Sequence, residues 1–312
     1  MNRRDGLFTT VVAGVVALTG CTIERSAPSS PPAVTQATMA STPGSVSGVV
    51  VNELPPVTPA PVHVVMSDPS LIEYTGNGDR PFGPTTFSVS GRTITVDDEL
   101  NHRLVTYRSG RRLRSVSLPA GCCLDLRVEG HRYWTLGVES ATEFVLHDGA
   151  TRLTRQRRVP LPQAAGIQWD GGQLQRYGTG LFAVPAVGDP VLLDGSGPAP
   201  VLPVVTVSDA GVQIADPGFT VTIRTHAGDD TPSASLVARH GGFVYYHVVD
   251  GAGPGWGYVY QFTTTGRLVH TYTVHSQAAL LPNRPLLVAD DGRVYQLQIT
   301  NKTARVLQIP PN

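Results

Sequence analysis

Three observations predict an all-β fold for most of this chain. Short runs rich in Val, Thr, Tyr and Leu recur between Gly, Asp and Pro turns. Thirty-three glycines and 26 prolines in 312 residues interrupt the chain too often for long helices. A strand–turn–leucine pattern also returns at a near-constant spacing, the mark of repeated small sheets. Together they predict a β-propeller of about six four-stranded blades over residues 63–312. A signal segment (1–20) and a disordered Pro/Ser/Thr/Ala-rich tether (21–62) precede it.

The clearest strand candidates are residues 93–96, 103–107, 143–146, 219–224, Phe243–Val249, 258–262 and Val294–Ile299. Alternation is visible in Val221-Thr222-Ile223-Arg224 and from Val294 to Ile299, each with one apolar face. The repeat is carried by 107–113, 147–153 and 262–268. Each has a strand end, a Gly turn and then a leucine: Leu113, Leu153 or Leu268. The first two leucines lie about 40 residues apart and the third about three such periods further on, which divides 63–312 into about six blades. Residues 165–235 are the least legible stretch.

One blade carries a family resemblance. The residues Val96-Asp97-Asp98-Glu99-Leu100-Asn101-His102-Arg103-Leu104 resemble the strand–turn–strand core of an NHL-type repeat, in the wider class of WD40-like propellers. Asp98, Asn101 and Arg103 stand at its polar positions. The corresponding Leu136-Gly137-Val138-Glu139 and Ala289-Asp290-Asp291-Gly292 depart from it. The resemblance implies the propeller architecture and no family function.

The N-terminus is informative in a different way. Arg3 and Arg4 precede an apolar stretch, residues 7–18, which ends in Leu18-Thr19-Gly20-Cys21. The stretch suits a signal-peptide core and is shorter than the roughly 20 residues a spanning helix needs. Its ending resembles the lipobox of bacterial lipoproteins. That resemblance implies cleavage before Cys21 and a diacylglyceryl and palmitate modification of its thiol. The mature chain is then held on the extracytoplasmic face of the cell membrane. Two acyl chains anchor stably where one anchors only marginally, at roughly 0.8 kcal/mol per buried methylene. The paired arginines leave general secretory and twin-arginine export both open.

Residues 22–61 carry eight prolines among Ser, Thr and Ala, a composition that cannot bury enough apolar surface to offset its ordering entropy. Residues 49–54 form its one apolar knot, with the character of an extra strand for the folded domain. Formal net charge is zero, which excludes the basic field of a nucleic-acid binder. Arg152, Arg155, Arg157 and Arg158 read as a solvated strand edge.

The sequence lacks a Gly-x-Ser-x-Gly elbow, a His-Glu-x-x-His motif, a Ser-x-x-Lys motif and a phosphate loop. No catalytic residue, metal ligand or cofactor is therefore assigned. The nine histidines show no ligand spacing; His240 and His247 are placed on or beside one strand, on opposite faces. The acidic pairs at Asp97-Asp98 and Asp290-Asp291 first read as turn residues. Asp97, Asp98 and Asp290, with Trp256 in its Gly-rich loop, are the ligand-binding candidates.

The reading that follows is a membrane-anchored binding or scaffold module of the cell envelope, with a protein or glycan partner. A propeller hydrolase or lactonase with a metal at its channel is the alternative. Cys122 and Cys123 precede a blade's first strand and so belong at the channel mouth. In an oxidising compartment they either close a strained vicinal disulfide or stay as buried thiols. The disulfide predicts no alkylation when the non-reduced, denatured protein is treated and weighed by mass spectrometry. Two alkylated thiols there would exclude it.

Overall fold

The computed structural model describes residues 49–51, 61–74, 81–118, 123–208, 211–225, 231–249, 257–274 and 283–312. Cys21, Cys122 and Trp256 lie outside them. No helix among these residues is long and apolar enough to cross a membrane. Beyond one 3-10 turn, Pro69–Leu71, and a two-stranded ribbon of Glu73–Tyr74 and Pro81–Phe82, they form six successive sheets.

Blade 1 comprises Phe87–Ser90, Thr93–Asp98, Arg103–Arg108 and Arg111–Ser117. Blade 2 comprises Asp125–Glu129, Arg132–Leu136, Ser140–Val145 and Thr154–Pro160. Blade 3 has three strands, Gln173–Tyr177, Gly180–Val184 and Val191–Asp194. Blade 4 comprises Val204–Ser208, Gly211–Asp216 and Phe219–Ile223. Blade 5 comprises Ser233–His240, Phe243–Val249, Gly257–Thr263 and Leu268–Val274. Blade 6 comprises Leu286–Val288, Val294–Ile299 and Ala304–Ile309. The architecture is the expected propeller.

The segment before blade 1 completes two of these sheets. His63–Asp68 pairs antiparallel with Ala304–Ile309, so blade 6 is built from both ends of the domain and the ring is closed by hydrogen bonds. Val49–Val51 pairs parallel with Phe219–Ile223 at the edge of blade 4. Within the apolar knot of the linker, Val49–Val51 is thus a strand; the rest of it lies outside the described residues.

The leucine repeat has a physical basis. Leu113 and Leu268 lie in the fourth strands of blades 1 and 5, and Leu153 immediately precedes that of blade 2. In all three blades the third-to-fourth pairing slips by one residue, between Thr106 and Tyr107, Glu143 and Phe144, and Gln261 and Phe262. A β-bulge bends the edge strand there and increases its twist.

Five buried apolar clusters join blade 1 to 2, 2 to 3, 4 to 5, 5 to 6 and 6 to 1. The boundary between blades 3 and 4 is built differently. Blade 3's first strand meets that of blade 5 directly, while Val204–Ser208 is solvent-exposed along most of its length. Blade 4 is also inverted. The Pro217-Gly218 turn after its second strand packs against the Thr264–Gly266 turn, which follows blade 5's third strand. A Cβ on Gly218 would fall 2.3 Å from the Thr264 carbonyl oxygen, so only glycine fits. Blade 4 therefore sits outside the ring of inner strands formed by the other five blades.

Polar groups tie blade 5 to the blades on either side of this seam. Arg239 of blade 5 grips Asp216 of blade 4, with Nη1 3.2 Å from Oδ1 and Nη2 2.5 Å from Oδ2, and the Tyr246 hydroxyl donates to the same carboxylate. Gln175 of blade 3 donates to the Val237 carbonyl at 3.5 Å.

Closure through blade 6 gives a direct test. Met66, on the N-terminal strand, is 1% exposed in the cluster joining blades 6 and 1. Met66→Ala is expected to lower unfolding free energy by about 2–5 kcal/mol, read as a shift of the urea midpoint.

Candidate functional site

The first strands of blades 1, 2, 3, 5 and 6 run in one direction, giving the ring an entry end, where they begin, and an exit end. Asp125, the first residue of blade 2, lies at the entry end and is fully buried. Its Oδ1 accepts from Thr86 Oγ1 of blade 1 at 3.0 Å and from its neighbour's amide, Leu126 N, at 2.8 Å. Its Oδ2 accepts from Leu174 N of blade 3 at 2.6 Å and from Arg284 Nη1, ahead of blade 6, at 2.5 Å. Arg284 is 5% exposed; its Nε donates to the Leu286 carbonyl and its amide to the Thr85 carbonyl. One carboxylate thus joins four blades.

Asp97 lies beside this hub. Its amide donates to the Thr86 carbonyl, and its Oδ2 accepts a 3.4 Å bond from Thr85 Oγ1. Its Oδ1 is buried with no hydrogen-bond partner among the described residues. Burial, reinforced by the charges of Glu99 and Asp98, pushes this carboxyl up to about 8. At neutral pH it is a protonated acid, able to donate a hydrogen bond but a poor ligand for a cation.

The remaining candidates are placed elsewhere. Asp98 is held within its own turn by Arg103 Nε at 2.6 Å and by Asn101 Nδ2 at 2.9 Å. Asp98, Asn101 and Arg103 thus clamp the turn between two strands. Asp290 is exposed at the exit end and accepts from Arg127 Nη2 at 3.1 Å. Arg127 also donates to Glu129 Oε1 at 2.6 Å, and Arg176 reaches both oxygens of that carboxylate. Burial opposes ionisation of Glu129, but bonds from Arg176 and Arg127 outweigh it and hold the carboxyl below its usual range. Asp97 and Asp290 therefore lie at opposite ends of the ring. Cys123 is buried beside the hub and disulfide-bonded, and its carbonyl accepts from Asn283 Nδ2 at 3.4 Å.

The histidines are separated too. His240 ends the first strand of blade 5 and His247 lies on the second, where burial pushes its imidazole down to about 4. The arginine run forms the outer edge of blade 2, as expected. Arg157 lies 5.0 Å over the Trp134 ring and ties Glu143 to Asp194 of blade 3.

Sequence reasoning found Asp97 but missed Asp125 and Arg284. The available signal was a charge embedded in an apolar run just before an inner strand, in Leu124-Asp125-Leu126 and Asn283-Arg284-Pro285-Leu286. Among the described residues no group of three His, Cys, Asp or Glu side chains converges as a metal site. A cavity of 200 Å³ also opens at the seam, between blade 3, Leu202–Pro203 and the first strand of blade 5.

No protein-family description matches the chain, and no curated protein matches it. Among solved structures it is similar to a Lactobacillus plantarum protein, at 15% identity and a TM-score of 0.40, covering 72% of this chain and 80% of that one. It is also similar to Myxococcus xanthus glutaminyl cyclase, at 11% identity and a TM-score of 0.39, over 80% and 97% of the two chains. A streptogramin B lyase gives 14% identity and a TM-score of 0.36, over 73% and 93%.

Asp97 makes stability depend on pH with a defined sign. Its folded-state pKa of about 8 stands above the ordinary 3.8, so the folded chain keeps a proton that the unfolded chain releases. Its contribution is full below pH 3.8 and is lost as pH rises through 8. Asp97→Asn is expected to raise stability at pH 8 by on the order of 5 kcal/mol, about four pKa units at 1.36 kcal/mol each, and to change it little at pH 4. Paired urea titrations at the two pH values check this.

Proposed function

We propose that this chain is a membrane-anchored extracytoplasmic lipoprotein whose propeller is a binding or scaffold module of the cell envelope. The anchor rests on the order Leu18-Thr19-Gly20-Cys21 behind a short apolar stretch. The binding reading rests on how the channel end uses its polar groups. Asp125 and Arg284 direct their hydrogen bonds to each other and to neighbouring blades. They hold the ring together and present no free nucleophile or base.

Of ten large apolar side chains exposed among the described residues, five fall between Val187 and Val207. Exposed apolar surface of this kind favours partner contact, and it lies beside the seam. A partner of envelope protein or glycan chemistry meets the domain there. The hydrolase alternative needs several carboxylates converging at one end of the ring; Asp97 and Asp290, its nominated acids, stand at opposite ends.

Detergent-phase partitioning of the intact protein tests the anchor. The unaltered chain is expected in the detergent phase and Cys21→Ala in the aqueous phase. Equal release of both into the aqueous phase would overturn it.

A further inference from the structure

A second cavity, of 370 Å³, opens at the exit end between blades 6 and 1, away from the Asp125 hub. Small-molecule sites span roughly 300–1,000 Å³ and combine apolar walls with a few placed polar groups. Here the walls are Val64, Val89 and Ile94, and the polar groups are Arg92, Arg293 and Tyr295.

The fold builds this cleft from hairpin ends. The turn at Ser109-Gly110 has both residues left-handed, at φ 50° and 75°, as a two-residue hairpin connection requires. Gly91, at φ 57°, turns the first hairpin of blade 1 on the same side, directly before Arg92. On the facing wall, the N-terminal strand slips register between Val64 and Met66, and Val64 is left 54% exposed. An exposed valine on a strand that otherwise serves ring closure is apolar surface without an internal purpose.

The charge at the cleft has one sign. Arg92 is exposed and has no hydrogen bond or ion pair among the described residues. Arg293 faces one acid, Asp291, at 3.5 Å, and both are substantially exposed, so screening leaves that pair weak. A guanidinium is a fork of donors suited to a carboxylate.

We propose that this cleft binds a small amphipathic anion, a medium-chain carboxylate whose chain lies on Val64, Val89 and Ile94 and whose head group meets Arg92 and Arg293. This deepens the binding-module reading by naming a ligand class, and it does not depend on the anchor.

Calorimetric titration of the full chain carrying Cys21→Ser with octanoate, octanol and octylamine tests it. Octanoate is expected to bind saturably and octylamine at least tenfold more weakly. Arg92→Gln weakens octanoate at least tenfold while leaving octanol unchanged, and Arg92→Lys, which keeps the charge without the fork of donors, restores part of the loss. Val64→Trp, on an exposed edge, blocks octanoate and octanol together without touching the core. Absence of saturable octanoate binding, equal binding of octylamine, or octanoate binding unchanged in both Arg92→Gln and Val64→Trp would overturn the proposal. The partitioning experiment is unaffected by any of these results.

Discussion

The buried carboxylate of Asp125 is the constraint on which the ring depends. A propeller blade can bury its faces against its neighbours, but its inner edge converges on an axis where apolar packing is poor. Here that space is filled by an ion pair whose acid accepts four hydrogen bonds from blades 1, 2 and 3 and from Arg284. Desolvating both charges is expensive, and their attraction offsets it only when further bonds satisfy the remaining lone pairs. Asp125 meets that condition. Removing one partner of such a pair typically costs 3–5 kcal/mol, because the other is left buried and uncompensated. The pair is thus better understood as a registration device for the blades than as a reservoir of stability.

The outside of the ring is fixed by a different means. His63–Asp68 joins the last strand of the chain to the segment ahead of the first blade, so unfolding the ring requires breaking a sheet rather than parting two faces. The seam at blades 3 and 4 lacks the apolar cluster found at every other boundary among the described residues, and blade 3 is tied past it to blade 5 by the Gln175 bond to the Val237 carbonyl. A polar seam tolerates displacement better than an interlocked apolar one, since its bonds exchange with water at little net cost. Local opening should therefore begin there.

The fold was legible where blades are regular. Strands at Phe243–Val249 and Val294–Ile299 appear with the bounds read from their composition and turns, and the leucine spacing marks fourth strands at or just after each leucine. Residues 165–235 were obscure because blade 3 has three strands and blade 4 is inverted, so neither repeats the pattern of its neighbours. The site was legible only in part. Asp97 stands out as one of a pair of acids, whereas Asp125 is a single acid between leucines. Its partner lies 159 positions away along the chain, and no local pattern encodes a pairing made by ring closure. His240 and His247 show a related limit: the Gly241-Gly242 turn between them puts them on separate strands.

The distribution of charge then narrows where a ligand can act on this domain. At the entry end Asp125 and Arg284 neutralise each other, and Asp97 is held protonated by burial. At the exit end the Glu129 carboxylate is saturated by Arg127 and Arg176, and Asp290 is drawn to Arg127. Among the described residues, the buried polar groups at both ends of the channel are thus engaged mainly with one another. Two features lie between blades: Arg92 beside an apolar cleft at one boundary, and exposed valines beside the seam at another. Under the proposed binding function, recognition falls to the gaps between blades, because the axial polar groups hold the blades in register.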